Sequence, residues 1–82
     1  MEKKALIEKV CRKLRDKERV LVFLTTQEAR CHAQIYSARH EEHVEFWKAC
    51  LDHNHERQID ILKQKWKLQK TLEILHGKVQ NG

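Results

Sequence analysis

The chain contains no proline, and its two glycines, Gly77 and Gly82, both stand near the C-terminal end. The two strongest helix breakers are therefore absent from Met1 to His76. Leu, Ala, Lys, Glu, Arg and Gln, all good helix formers, fill most of the remainder. An all-α fold follows. The lack of internal glycine also excludes a glycine-rich phosphate loop. Aromatic residues are few, with two Trp, one Tyr and two Phe, too sparse for a stacking platform that binds single-stranded nucleic acid. The longest apolar run, Val20 to Leu24, is far short of the ~20 residues that span a bilayer. The N-terminal residues have neither the apolar core nor the cleavage site of a signal peptide. With three cysteines, Cys11, Cys31 and Cys50, one stays unpaired in any disulfide scheme. They read as reduced small hydrophobes of a cytoplasmic protein.

Eighty-two residues make a single domain with a small core, so association is expected to supplement it. The net charge of +5 is unevenly spread. Residues 1–24 carry eight Lys/Arg and four Asp/Glu, residues 25–56 three and six, and residues 57–82 six and two. This plus–minus–plus pattern differs from the continuous basic surface of a simple nucleic-acid binder.

Two helices are expected. The first covers residues 2–23, with Ile7, Val10, Leu14, Leu21 and Leu24 on one face and Lys17 interrupting it. Thr25 followed three residues later by Glu28 fits a capping box, which places a break there; the alternative is one unbroken helix through Thr25 and Thr26. The second helix covers residues 26–76, with Gly77 closing it as C′ residue and residues 77–82 as a flexible tail. Its stripe begins Ala29, Ala33, Tyr36, His40, Val44, Trp47 and Leu51. It continues through Asn54, Gln58, Ile61, Lys65, Leu68, Leu72, Leu75 and Val79. Eleven of these fifteen positions are apolar, and the phase does not change across Asp52–Glu56, the one candidate for a second turn. The expected architecture is a helical hairpin with a long second helix, associating into an antiparallel helical bundle. A turn at residues 52–56 would instead make a monomeric three-helix bundle. A partial second stripe, Ile59, Leu62 and Trp66, widens the apolar face.

Three readings of function follow. The first is a small intracellular protein–protein interaction module: an adaptor, a chaperone-like partner, or an inhibitor of a larger protein. It would dock helix to helix as a homodimer or onto another protein, with Tyr36, Trp47, Leu51, Ile61, Trp66, Leu68 and Leu72 at the interface. The second is a nucleic-acid-binding regulator that uses Arg57, Lys63, Lys67 and Lys70 along the basic C-terminal stretch. The third turns on histidine, of which there are six. His40 with His43, and Cys50 with His53, are each three apart on one helical face and have ligand chemistry suited to zinc or copper. The two pairs are ten residues apart, roughly 15 Å along a straight helix, so one ion would need a turn or a dimer crossing to join them. His40 on the apolar stripe would also make an assembly seam sensitive to pH. No catalytic constellation is present, and no cofactor or small-molecule substrate is expected: Ser37 stands alone, and a thiol–imidazole pair on one helix has no oxyanion hole.

Overall fold

The computed structural model describes residues 2–77. Two helices, α1 (Glu2–Ser37) and α2 (Glu41–Leu75), form an antiparallel hairpin. At ~1.5 Å per residue each helix extends over ~50 Å, which accounts for the 59 × 23 × 13 Å envelope.

The seam between the helices is written in steps of three and four. From α1 it takes Ile7, Val10, Leu14, Lys17, Leu21, Leu24, Glu28, Cys31 and Ile35, with Ala38 of the turn continuing the phase. From α2 it takes Val44, Trp47, Leu51, Asn54, Gln58, Ile61, Lys65, Leu68, Leu72 and Leu75. Alternating steps of three and four keep one stripe facing the partner helix along the whole length. Among the described residues only Val10, Leu24 and Cys31 of the apolar side chains are buried, with Leu24 completely enclosed. Apart from Asn54, which is also buried, the other seam residues are half-buried, because two helices side by side cover a single stripe of each. Lys65 lies in the seam with its ammonium 3.6 Å from Glu18, so its aliphatic stem fills the layer while its charge reaches the rim.

The all-helical hairpin is as expected, and its turn is elsewhere. The first helix does not end at residue 23, nor does the second begin at residue 26. α1 runs straight through Thr25 and Thr26, whose hydroxyls donate back to the Val22 carbonyl at 3.0 and 2.8 Å. The capping box does not form, because Glu28 points across the hairpin to α2 instead. The seam overrides the local signal: Leu21, Leu24, Glu28 and Cys31 continue one phase through the threonines.

The reversal falls at Ala38–His40, inside the helix expected over residues 26–76, with no glycine or proline to mark it. The Ala38 N–H donates to the Ile35 carbonyl at 3.4 Å and tightens the last turn of α1. His40 is extended (φ −118°, ψ 137°), and its carbonyl accepts the N–H groups of His43 and Val44 to start α2. Its side chain makes no cap hydrogen bond, while Glu41 and Glu42 occupy the first turn, where carboxylates offset the helix dipole. The N-terminal part of the long stripe is consequently corrected. Ala29, Ala33, Tyr36 and His40 face solvent, and Tyr36 is 94 % exposed. His40 lies in the turn and not on a seam.

Residues 52–56 continue as helix, so the three-helix bundle is excluded as the architecture. From Val44 to Leu75 the stripe lies as its phase predicts. At the C-terminal end, the His76 N–H bonds the Leu72 carbonyl at 2.9 Å and the Gly77 N–H bonds the Ile74 carbonyl at 3.0 Å. Gly77 takes φ +74°, a left-handed conformation that glycine adopts without steric cost and that closes the helix. Val79 and the tail expected over residues 78–82 lie outside the described residues. Among the described residues no helix is long and apolar enough to cross a membrane.

Candidate functional site

Near its middle the seam turns polar. Asn54 is 4 % exposed, and its side-chain Nδ2 donates to the Leu24 carbonyl across the hairpin at 2.9 Å. Its Oδ1 accepts from Gln58 Nε2 at 2.6 Å, and the same Nε2 reaches Glu28 Oε1 at 2.7 Å. His55 Nε2 lies 3.1 Å from that carboxylate oxygen. Hydrogen bonding from Gln58 holds the Glu28 carboxyl below its ordinary value, against an opposing push from desolvation, with His55 and His32 adding attraction. A buried polar network of this kind fits one alignment of the helices, since a slip of a turn would strand the Asn54 amide.

The outer surface of α2 carries a second stripe. Ile59, Leu62 and Trp66 each follow a seam residue by one position, so they stand about 100° further round the helix, off the seam. They remain 52, 50 and 59 % exposed, although they are large and apolar. Together with Lys63 and Lys67 they line a shallow depression on α2. The Lys70 ammonium sits 5.4 Å from the Trp66 ring centre, a cation–π contact that steadies the indole at the surface.

Of the residues expected at an interface, Trp47, Leu51, Ile61, Leu68 and Leu72 lie in the seam of this one chain, half-buried. Tyr36 and Trp66 stand on the outside. Arg57, Lys63, Lys67 and Lys70 are all exposed on α2. The hairpin also redraws the charge pattern, because it folds the two basic segments together. Residues 2–24 carry eight Lys/Arg against four Asp/Glu and residues 57–77 five against two, so the open end has a net charge of +7. Residues 25–56, around the turn, carry three against six, a net −3. Lys13, Lys17 and Lys67 line one groove at the basic end.

The histidine and cysteine pairs stay apart. The rings of His40 and His43 meet edge to face at the turn, with centres 5.6 Å apart. Cys50 and His53 line a different cleft, which also contains Cys31. Among the described residues no three His, Cys, Asp or Glu side chains are grouped to hold a metal ion. All three cysteines are free, and burial pushes the Cys31 thiol up, with Cys50 and Glu28 adding to the shift.

The spacing places Asn54 on the stripe of the second helix; its hydrogen bond in the seam depends on Leu24 arriving opposite, which no local pattern encodes. Glu28, Cys31, Ile35 and Ala38 were legible in principle, since steps of three and four from Leu24 reach all of them. No protein-family model matches the chain, and neither a curated protein nor a solved structure matches it.

Proposed function

We propose that this hairpin is a non-catalytic protein–protein interaction module of the cell interior, docking through the flank of α2 that bears Ile59, Leu62 and Trp66. One observation supports the reading above the others. Three large apolar side chains at helical spacing stay at least half exposed on a rigid helix, bordered by lysines. Such a stripe matches the apolar face of a second helix, and its charged border would select partner and register. An adaptor, a chaperone-like partner and an inhibitor of a larger protein all work in this way.

The test compares the wild-type chain with a Leu62→Glu/Trp66→Glu variant of equal helix content in cross-linking inside cells. The variant is expected to lose the specific partner bands. Identical bands from both proteins refute docking through this flank.

A second reading has its own supporting observation, the joining of both basic segments at the open end. Polyanions such as RNA or DNA would bind there by counterion release. Binding should fall steeply with salt and vanish when Lys63, Lys67 and Lys70 are changed to Glu. Retention by that variant would exclude nucleic acid at this site.

A further inference from the structure

We propose that the occupant of the α2 flank is a second copy of this chain, packed antiparallel so that the two α2 helices cross their centres between Ile61 and Leu62. The inference rests on the docking role given above to the same stripe and specifies the partner and its register.

The charges along α2 carry the argument. Asp52, Glu56 and Asp60 are four apart and form an acidic row on the N-terminal side of the stripe. Lys63, Lys67 and Lys70 continue the row on the C-terminal side with the opposite sign. All six are exposed, and among the described residues no carboxylate of this row is in an ion pair. Lys70 lies 3.9 Å from Glu73 and over the Trp66 ring. By helical phase both rows lie on the same side of the Ile59–Trp66 stripe, as steps of three and four keep them in line.

In an antiparallel pair related by a two-fold axis, residues equally far on either side of the centre meet. Asp60 then faces Lys63 of the other copy, Glu56 faces Lys67, and Asp52 faces Lys70, each pair occurring twice. Each pair straddles the same point to within a residue. The apolar residues centre within about one residue of the same point: Leu62 meets its own symmetry mate, and Ile59 meets Trp66. In a parallel two-fold pair one flank of α2 faces the opposite flank of its partner, so the two rows would not meet and the complementary pairs would be lost; the pattern selects the antiparallel arrangement.

The test is sedimentation equilibrium of the full chain from micromolar to hundreds of micromolar, at low salt. A dimer is expected. Glu56→Lys and Lys67→Glu should each weaken it on the order of tenfold, because each introduces two like-charge contacts. The double variant Glu56→Lys/Lys67→Glu should recover most of the wild-type affinity. These positions are about 16 Å apart along one helix, too far to pair within a copy, so recovery reports a contact between copies. Circular dichroism checks that each variant keeps its helix. A wild-type monomer throughout overturns the proposal, as does a double variant no better than the single ones, or a dimer that survives Leu62→Glu/Trp66→Glu. If the chain is monomeric yet partner capture still depends on Leu62 and Trp66, the self-association fails and the docking role stands. Capture indifferent to those residues removes both.

Discussion

Replacing Asn54 tests the register of the hairpin directly. Its amide joins the helices through the 2.9 Å bond to the Leu24 carbonyl, and it is nearly fully buried. Asn54→Ala removes that bond, worth ~0.5–1.5 kcal/mol, and leaves a small void. Two circumstances limit the loss. The Leu24 carbonyl lies within α1 and keeps its helical partner, and Gln58 keeps its 2.7 Å bond to Glu28. The net expectation is a loss of ~1–2 kcal/mol, or ~5–15 °C in Tm for a domain of this size. Asn54→Asp should cost more, although its shape is nearly the same. It discards the donor and places a carboxylate against a carbonyl oxygen in a closed site. Asn54→Leu should hold or raise Tm by adding apolar contact, while relaxing the single alignment that the amide imposes. Thermal and urea melts followed by circular dichroism measure all three. Stabilities of the Ala and Asp variants within ~0.5 kcal/mol of wild type would mean that Asn54 does not face Leu24, and the register would be wrong.

Three further outcomes are expected. Leu24→Ala should destabilise by ~2–4 kcal/mol and Phe23→Ala by under ~1 kcal/mol, since Leu24 is fully enclosed and Phe23 is 56 % exposed; equal losses in chemical melts would contradict a seam continuing past Thr25. Glu28, whose carboxyl is held below its ordinary 4.5 in the fold, contributes stability above that value and loses it as pH falls through the folded pKa. Tm measured from pH 7 down to pH 3 should therefore fall less steeply for Glu28→Gln than for the wild type, and parallel curves would remove the carboxylate from the network. Cys31 should alkylate more slowly than Cys11 or Cys50, because it is buried and its thiol is pushed up, and peptide mass spectrometry after timed iodoacetamide treatment reads the order.

Much of this architecture is determined by the sequence alone. The absence of proline and internal glycine leaves helix as the available regular structure, and Gly77 marks the end of α2 because only a residue free of Cβ adopts its φ of +74° at no cost. The seam from Ile7 to Leu24 and from Val44 to Leu75 follows from apolar spacing, as does the continuity of α2 through Asp52–Glu56. These are local properties, and periodicity reports them.

The position of the turn is a different matter, and the tertiary structure decided it. Ala38–His40 has no breaker, whereas Thr25–Glu28 carries a good local cap signal and stays helical. A cap is worth ~1 kcal/mol, and a hairpin reversing at Thr25 would leave half of the long stripe without a partner. Reversal at Ala38–His40 makes the arms nearly equal, at 36 and 35 residues, and lets the whole seam close. The burial gained along ten apolar and polar layers outweighs one capping interaction. The same reversal brings Leu24 to Asn54 and Glu28 to Gln58, and gathers two basic segments at one end. None of these juxtapositions is visible until the chain has chosen where to fold back on itself.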